Sequence, residues 1–379
     1  MPLRALARIN LAAIERNVAK LRHQIGSQTS LCAVVKANGY GHGAVQAAQG
    51  ALAGGARQIA VATAAEAMDL RAGGIDAPLL IMGAISHEEL PDVLAAEAEI
   101  VAWDERFVEQ VTSALAGRVA PGPPVRIHVK LDTGMRRLGT REPERAMQVA
   151  ERVADGDPAL VLAGAMTHFA TADEDPEFVA VQLSRFEPFV AALRRRWPEL
   201  VVHAANSAAT LTEPRSHFDL VRCGIAIYGC DPMNSDPERH GLEPALELTS
   251  YVAAVKRALG GDSVGYGRKF IAQSETWIAT LPIGYGDGIR RAYTNNCEVL
   301  VGGRRYPLVG TVSMDNITLN LGAETSVSVG DRATIIGVDG DERQTAEQLA
   351  RRIDTINYEV VCGISARVPR SYHRDGAPA

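Results

Sequence analysis

A lysine stands at the end of a short apolar segment near the start of the chain. The stretch LCAVVKANGYGHGA (31–44) carries Lys36 out of a run typical of a buried strand and into a loop with three glycines and Tyr40. The lysine stem can lie along apolar surface with its ammonium group in solvent. Alternatively, burial lowers the pKa of the amine from about 10.4, so that it attacks a carbonyl and forms a Schiff base. The position of Lys36 alone leaves both interpretations open.

Polar residues also end several other apolar runs, and these are Lys130 with Asp132, His168, Asn206 with Ser207, and Arg222. In a barrel of parallel strands, the loops that follow the strands share one face and carry the chemistry. Barrels often bind phosphate in the loops after the seventh and eighth strands. Here those loops offer the hydroxyl of Ser207 and the backbone amides around Gly224 and Ile225. Each of these alone is ordinary turn chemistry, but together with a lysine nucleophile they indicate pyridoxal phosphate.

Eight apolar runs, each long enough for one strand, alternate with helical patterns in the first part of the chain. They are LCAVVK (31–36), IAVAT (59–63), PLLIMG (78–83), EIVAW (99–103), VRIHVKL (125–131), LVLAGAMTHF (160–169), LVVHAA (200–205) and LVRCGIAIYG (220–229). Continuous apolar character is typical of strands covered on both faces, and repeated βα units predict a parallel sheet. Eight such units suit a (β/α)8 TIM-type barrel of about 250 residues. A doubly wound open sheet is the alternative.

After Glu243 the sequence changes to short β-branched segments separated by glycine and asparagine turns. This change predicts two domains, a barrel over 1–243 and a mostly β domain over 244–379. In the second part, Gly302 and Gly303 separate two short β-branched segments and predict a two-residue hairpin. One late helix is predicted near TAEQLARRI (345–353). At the other end of the chain, Asn10 is a candidate N-cap for an amphipathic helix that closes near Gly26.

Charge and cysteine content narrow the class of protein. The formal net charge of −6 argues against a nucleic acid partner held through its phosphates. The five cysteines are odd in number and include no C-x-x-C pair, which predicts reduced thiols and a cytoplasmic location. No run is long enough to cross a membrane, and no His or Cys spacing is typical of a metal site.

One motif favours a different cofactor. Gly39, Gly41 and Ala44 match G-x-G-x-x-A after a predicted strand, and Glu66 follows about 20 residues on, as in a dinucleotide-binding fingerprint. The hypothesis is weak because Glu66 lies beyond the end of its strand and eight barrel strands leave no room for a separate dinucleotide-binding unit.

The motifs together resemble one family, the bacterial alanine racemases of the barrel-type (fold-type III) pyridoxal phosphate class. AVVKANGYGHG (33–43) is similar to the family's cofactor-lysine signature. Further similar segments follow in order: VKLDTGMRRLG (129–139), THF (167–169), NSAAT (206–210), VRCGIAIYG (221–229), VGYGRKF (264–270), PIGYGDG (282–288), VGTVSMDN (309–316) and INYEVVC (356–362). Gly265 stands where many relatives have a hydroxylated residue, and Ser313 where a cysteine is common; neither departure removes a group that must transfer a proton.

The resemblance implies a role for each matching residue. Lys36 would hold the cofactor covalently, Arg222 would face its pyridine nitrogen, and the residues around its phosphate would be Tyr40, Ser207, Gly224, Ile225 and Tyr358. Tyr266 would reach the cofactor from the other subunit of a homodimer with shared active sites. The residues expected near the substrate are Arg137, Met314, Asp315 and, at the entrance, Tyr285, with Lys130 supporting Arg137 as a carbamylated lysine.

The implied reaction is interconversion of L-alanine and D-alanine, with D-alanine supplied for peptidoglycan. Removing the α-proton from one face and returning one to the other needs two acid/base groups, and Lys36 and Tyr266 would be that pair. His168, bridging Tyr266 and Arg222, would make the tyrosine a usable base. Arg222 cannot accept a proton from the ring, so it would keep the ring nitrogen unprotonated and favour rapid reprotonation of the α-carbon.

Four alternatives remain at this stage. A broad-specificity amino-acid racemase shares the architecture, and a barrel-type decarboxylase shares the lysine but places a carboxylate where this chain has Arg222. A non-catalytic pyridoxal phosphate carrier would be a single barrel, without the 136 residues of 244–379. A nicotinamide-dependent oxidoreductase would use the glycine motif near Lys36.

Overall fold

A computed structural model describes residues 3–117 and 122–379, which form two compact units. The barrel unit comprises Glu15–Gly39 and Ala44–Ile227. The β unit comprises the described chain up to Ile14, Tyr40–Gly43 and Tyr228–Ala379.

The barrel unit is built on eight parallel strands, one in each of the eight predicted apolar runs. They are β2 (Ser30–Val34), β3 (Gln58–Val61), β4 (Leu79–Ile81), β5 (Glu99–Ala102), β6 (Val125–Lys130), β7 (Leu160–Met166), β8 (Val201–His203) and β9 (Leu220–Cys223). The sheet order is β8-β7-β6-β5-β4-β3-β2-β9. The amides of Asp219 and Arg222 donate to the carbonyls of Val202 and Ala205, both at 3.0 Å, and so join the two ends of the sheet. The predicted (β/α)8 fold is confirmed, and the open-sheet alternative is wrong because these two hydrogen bonds close the sheet between β8 and β9.

Helices connect the strands, and several begin at the capping residues that the sequence supplies. They are α1 (Leu11–Ile25), the short segment α2 (Lys36–Tyr40), α3 (Ala44–Ala53), α4 (Ala64–Ala72), α5 (Leu90–Ala95), α6 (Glu105–Ala116), α7 (Pro143–Ala154), α8 (Pro176–Arg196) and α9 (Ser207–Thr212). The predicted helix after Asn10 is confirmed, and the side-chain oxygen of Asn10 accepts from the amide of Ala12 at 3.2 Å. Asp104 and Asp175 cap α6 and α8 in the same way.

The β unit contains two main sheets. The larger has the order β16-β15-β18-β10-β1-β20-β21, with β19 paired to β18. Its strands are β1 (Leu6–Asn10), β10 (Leu246–Tyr251), β15 (Glu298–Val301), β16 (Arg304–Pro307), β18 (Arg332–Asp339), β19 (Glu342–Gln344), β20 (Arg370–Arg374) and β21 (Ala377–Pro378). The second sheet has the order β11-β14-β17, from β11 (Ala254–Ala258), β14 (Thr276–Leu281) and β17 (Ile317–Gly322), and β12 (Ser263–Val264) pairs with β13 (Phe270–Ile271).

Local predictions for this unit are confirmed, and one strand was missed. Gly302 and Gly303, with φ of 58° and 74°, form the two-residue turn between β15 and β16. The late helix is α10 (Ala346–Arg352), and α11 (Asn357–Cys362) follows it. Strand β1 was not predicted, because its partners β10 and β20 lie more than 200 residues away in the sequence.

Within residues 3–117 and 122–379, no helix is both long enough and apolar enough to cross a membrane. The same described ranges contain no group of three or more His, Cys, Asp or Glu side chains placed to hold a metal ion.

Candidate active site

Lys36 begins a left-handed turn two residues after the end of β2. Ala37 and Asn38 both have φ of 53°, and Gly39 has φ of 62°. A non-glycine residue in this conformation costs roughly 1–2 kcal/mol. The surrounding contacts must therefore hold the backbone around Lys36 in place.

Glu66 is the residue that anchors this turn. Its Oε1 accepts from the amide of Ala37 at 2.6 Å, and its Oε2 accepts from the amide of Ala62 at 2.8 Å. Glu66 also completes the capping box of α4 with Thr63. The acidic residue of the apparent dinucleotide fingerprint is thus occupied with backbone amides of its own barrel, and the interpretation as a ribose ligand is wrong.

Arg222 lies in β9 with its guanidinium in the barrel interior, and the residue is only 3% exposed. Its Nη1 donates to Nδ1 of His203 at 2.9 Å. Its Nη2 donates to the carbonyls of Thr167 and Ala204 at 3.0 and 2.9 Å. Burial lowers the pKa of Arg222 to about 10, which leaves the group charged at neutral pH.

His168 follows β7 and contacts the same guanidinium. Its Nδ1 accepts from Nη2 of Arg222 at 3.2 Å. Burial and the positive charge of Arg222 hold the pKa of His168 well below its usual range, so the imidazole is neutral. Because Arg222 can only donate, the single ring proton of His168 lies on Nε2, where it can be given to another group.

Lys130 is the last residue of β6 and is 5% exposed. Burial and, after it, the positive charges of Arg222, Arg137 and Lys36 together lower the pKa of its amine to about 8, against the opposing charge of Asp132. The like charges of Arg222 and Lys36 thus disfavour the ammonium form of Lys130. Asp132 in turn accepts from the amides of Gly134 and Arg136 at 2.9 and 2.8 Å, which shapes the exposed loop that bears Arg137.

Ser207, Gly224 and Ile225 are also brought together in the barrel unit. The Oγ of Ser207 accepts from the amide of Gly224 at 2.9 Å, and a 3₁₀ turn begins at Ile225. Asn206 caps the short helix α9 by accepting from the amide of Ala209 at 3.0 Å. The hydroxyl proton of Ser207 remains available to donate, because its oxygen is the acceptor in this contact. We call Lys36, Lys130, His168, Ser207 and Arg222 the mouth cluster.

In the β unit, two of the predicted cofactor residues are neighbours. The ring centroids of Tyr40 and Tyr358 are 6.0 Å apart at an interplanar angle of 52°. Tyr228, which is fully buried, lies 5.3 Å from Tyr40 and holds that ring from another side. Tilted aromatic pairs at this separation are favourable.

Tyr266 stands on a tight turn and is 76% exposed. Its carbonyl accepts from the hydroxyl of Thr311 at 2.6 Å. The flanking residues Gly265 and Gly267 have φ of 75° and 71°. Gly265, with ψ of −177°, lies in a region that essentially only glycine occupies, which explains its presence before Tyr266.

Two loops of the β unit present the remaining predicted residues, and we call Gly284–Asp287 and Ser313–Asn316 the loop pair. The amides of Tyr285 and Gly286 donate to the carbonyls of Ser313 and Met314 at 3.0 and 2.9 Å. A Cβ on Gly284 would lie 2.3 Å from the carbonyl oxygen of Ser313, so only glycine allows this approach.

Charged contacts brace the loop pair. Arg367 donates to Asp315 at 2.7 Å. The fully buried carboxylate of Asp287 accepts from Arg4 at 2.7 Å. Tyr285 and Met314 stay 42% and 51% exposed, so the backbone is held while the side chains face outward.

Family models match both parts of the chain. The alanine racemase N-terminal domain matches residues 9–232, and the alanine racemase C-terminal domain matches residues 245–372. The chain belongs to the alanine racemase family.

Individual relatives are similar to this chain over almost its whole length. The alanine racemase of Geobacillus kaustophilus is 42% identical over 375 residues, covering 97% of this chain and 94% of the relative. The alanine racemase of Nostoc sp. is 38% identical over 376 residues, covering 97% of this chain and 95% of the relative. The crystal structure of alanine racemase from Streptomyces lavendulae superposes with a TM-score of 0.92 at 36% identity, covering 98% of each chain. The enzyme from Bacillus anthracis, solved with bound L-Ala-P, gives a TM-score of 0.91 at 36% identity, covering 100% of this chain and 97% of that one. As a member of this family, the chain is an isomerase.

Sequence reasoning missed several polar residues that support the racemase-family site. Glu66 was considered only as the acidic residue of a weak dinucleotide fingerprint, and His128, His203 and Glu99 were not singled out. A signal was present, because His128 and His203 interrupt apolar strands of a barrel, and a buried polar group needs a hydrogen-bond partner.

Proposed function

We propose that this chain catalyses pyridoxal phosphate-dependent interconversion of L-alanine and D-alanine. The observation that carries the proposal is the mouth cluster, in which a lysine, a hydroxyl and a buried arginine stand at or just after the carboxyl ends of parallel barrel strands, in a chain whose relatives are named alanine racemases. Supply of D-alanine for peptidoglycan is part of the proposal. The five free thiols, four of them buried, support action in a reducing compartment such as the cytoplasm.

The donor set fits the cofactor. Lys36 offers an amine to the aldehyde, and the hydroxyl of Ser207 and the amide of Ile225 offer donors to the phosphate. Gly224 would lie beside the phosphate with its own amide donating to Ser207, and Tyr40 and Tyr358 would complete the enclosure. Arg222 offers a guanidinium to the ring nitrogen. When bound, the cofactor supplies an electron sink for the bond between the α-carbon and its proton.

Arg222 sets the reaction type in this proposal. The part of the chain described here places no carboxylate within ion-pair distance of its guanidinium. A guanidinium is a donor only, so it leaves the facing ring nitrogen without a proton. This disfavours a decarboxylase or transaminase, which would use a carboxylate there, and favours rapid return of a proton to the α-carbon.

Lys36 and Tyr266 are the proposed acid/base pair, one for each face of the substrate. Such a group typically contributes about 10²- to 10⁴-fold to the rate. The 76% exposure of Tyr266 supports its action in a partner subunit, because a side chain with so few contacts in its own chain is available to another. We therefore propose a homodimer in which residues 244–379 of one chain complete the site of the other.

His168 is the proposed link between Arg222 and Tyr266. Neutral His168 accepts from Arg222 at Nδ1 and so presents an Nε2 proton. Donation of that proton to the phenolate of Tyr266 would stabilise the phenolate and make the tyrosine a base at neutral pH.

Lys130 and Arg137 are proposed to support the substrate carboxylate, with Met314, Asp315 and Tyr285 at the substrate and its entrance. The pKa of about 8 leaves a substantial fraction of Lys130 as the free amine at neutral pH. A free amine adds to carbon dioxide with loss of one proton, which gives a carbamate. The resulting negative charge would pair with the arginines nearby.

Optical rotation tests the proposal with the yellow, cofactor-loaded enzyme. L-alanine is expected to lose its rotation, L-serine more slowly, and L-lysine not at all. Equal rates for all three would instead support the broad-specificity racemase. Release of carbon dioxide, with no racemisation, would overturn the proposal in favour of a decarboxylase.

A further inference from the structure

The guanidinium of Arg222 is buried without a carboxylate partner among the described residues, although an unpaired buried charge is costly. Its only contacts within hydrogen-bond distance are imidazoles and backbone carbonyls. A carboxylate does lie further along the same line of contacts. His203 contacts His128 at 2.8 Å between Nε2 and Nδ1, and Nε2 of His128 contacts Oε2 of Glu99 at 2.6 Å.

We propose that Glu99 is the counter-charge of Arg222, acting through His128 and His203, and that this line of hydrogen bonds fixes the orientation of the guanidinium. Glu99, His128 and His203 are then positioning residues for the site. The hydrogen-bonded line itself follows from the barrel alone, and only its effect on catalysis rests on the proposed function.

The proton positions along the line follow from its two ends. Arg222 only donates, so Nδ1 of His203 must accept and its proton must lie on Nε2. That proton is donated to Nδ1 of His128, which leaves the proton of His128 on Nε2. The carboxylate of Glu99 only accepts, so it suits this last donor. Both imidazoles are neutral, and every hydrogen bond runs from the cation toward the carboxylate.

The line is buried along its whole length. His203 and His128 are 0% and 1% exposed. In such surroundings hydrogen bonds polarise one another, so a chain of them transmits the effect of a terminal charge better than it would in water.

The base of the barrel holds Glu99 in place. Glu99 is the first residue of β5, and the first residue of β3, Gln58, donates to its Oε2 at 2.9 Å. Arg126, at the start of β6, donates to its Oε1 at 2.8 Å. The starts of three barrel strands, β3, β5 and β6, therefore anchor the far end of the line.

Gly164 in β7 makes room for the line. A Cβ at this position would lie 2.2 Å from Nδ1 of His128. Any side chain at residue 164 would displace the ring that joins His203 to Glu99. The absence of a side chain at Gly164 thus allows the imidazole of His128 to occupy this position.

Nitrogen NMR of the full-length, ¹⁵N-histidine-labelled holoenzyme tests the proposal. In the wild type, His128 and His203 are both expected as neutral rings protonated at Nε2. Protonation at Nδ1 of either ring, or an imidazolium, would overturn the proposal.

Glu99→Gln tests the counter-charge, because the amide removes the negative charge while its oxygen can still accept from Nε2 of His128. Arg222, which only donates, then keeps both rings protonated at Nε2. We expect a shift of the Nε2 signal of His128 and a fall in kcat of about 10- to 100-fold, as when the partner that orients a site group is lost, with KM little changed. Arg126→Gln is the matched control, since it removes a contact of Glu99 but keeps the carboxylate, and it should leave kcat close to the wild-type value.

An unchanged kcat together with an unchanged Nε2 signal of His128 in Glu99→Gln would refute the counter-charge. Should Glu99→Gln fail to fold, the wild-type spectrum and Gly164→Ala still decide, because Gly164→Ala must displace His128 and alter its signals without changing any polar group. The wild type could show the expected tautomers and yet fail to racemise alanine. That result would refute the proposed function and leave the hydrogen-bonded line intact.

Discussion

The mouth cluster and the loop pair hold predicted site residues in opposite ways. In the barrel, the side chains themselves are fixed, since Arg222 alone makes four hydrogen bonds and is 3% exposed. In the β unit, the backbone is fixed and the side chains of Tyr266, Tyr285 and Met314 project outward. The difference teaches that the barrel groups are held through contacts of their own side chains, whereas the exposed groups are held through their backbone. Substitutions should therefore lower stability and activity together in the barrel, but activity alone at Tyr266.

Tyr266→Phe gives the largest expected effect. Losing one general acid/base group should lower kcat by about 10²- to 10⁴-fold, with little change in Tm, because the side chain is 76% exposed in its own chain and the substitution removes one hydroxyl from that surface. Steady-state rates and thermal melts check this. A lower Tm with normal kcat would show that Tyr266 is structural.

Arg222→Gln should lower both the catalytic activity and the free energy of unfolding. The shorter amide cannot reach all of the acceptors on Thr167, Ala204 and His203, and each buried acceptor left without a donor costs about 1–3 kcal/mol. Urea unfolding of the apo and loaded protein measures the loss. An unaltered free energy of unfolding would contradict the account of Arg222 as the centre of a buried network.

Acid should weaken the barrel through Glu99. Burial raises the pKa of this carboxyl, but the hydrogen bonds from His128 and Arg126 and the positive charge of Arg126 outweigh burial and hold the pKa below its ordinary value of 4.5. Since the folded-state pKa is depressed, the stabilisation is present above pH 4.5 and is lost as the pH falls below it.

Urea unfolding at pH 6, 4.5 and 3 checks this window. The difference in free energy of unfolding between the wild type and Glu99→Gln should shrink as the pH falls. A difference that does not change with pH would mean that Glu99 is not charged in the fold.

Gly284→Ala gives the smallest expected effect. The added methyl group would press on the carbonyls of Ser313 and Met314 and separate the loop pair, at a cost of about 1–3 kcal/mol. We expect a raised KM for alanine with a smaller change in kcat. Gly260→Ala is the control, because Gly260, like Gly284, lies outside the positive-φ region and its Cβ would meet no atom closer than 3.4 Å. Equal KM values in the two variants would contradict the positioning role of the loop pair.

The barrel was predictable because its signal is local and repeated. A continuous apolar run indicates each strand, and the position of the strand in the sheet follows from the order of the βα units. The hairpin at Gly302 and Gly303 was predictable for the same reason, since two adjacent glycines specify the turn.

The unpredicted features depend on distant partners. Strand β1 is five residues long, and nothing within it points to β10 or β20. Glu66 has the spacing of a ribose ligand, and only the fold reveals that backbone amides occupy its carboxylate. The line from Arg222 to Glu99 joins residues of four strands. The sequence indicates that each of these residues is polar and buried, but it does not show which of them contact one another.

Mixing of two inactive variants tests the central claim, that an amine and a phenol from separate chains serve one site. Lys36→Ala and Tyr266→Phe are each expected to be inactive alone. After subunit exchange, confirmed by distinct mass tags, roughly a quarter of wild-type activity should return, because half of the dimers are hybrids and each hybrid has one intact site of two. No recovery after confirmed exchange would contradict a shared site.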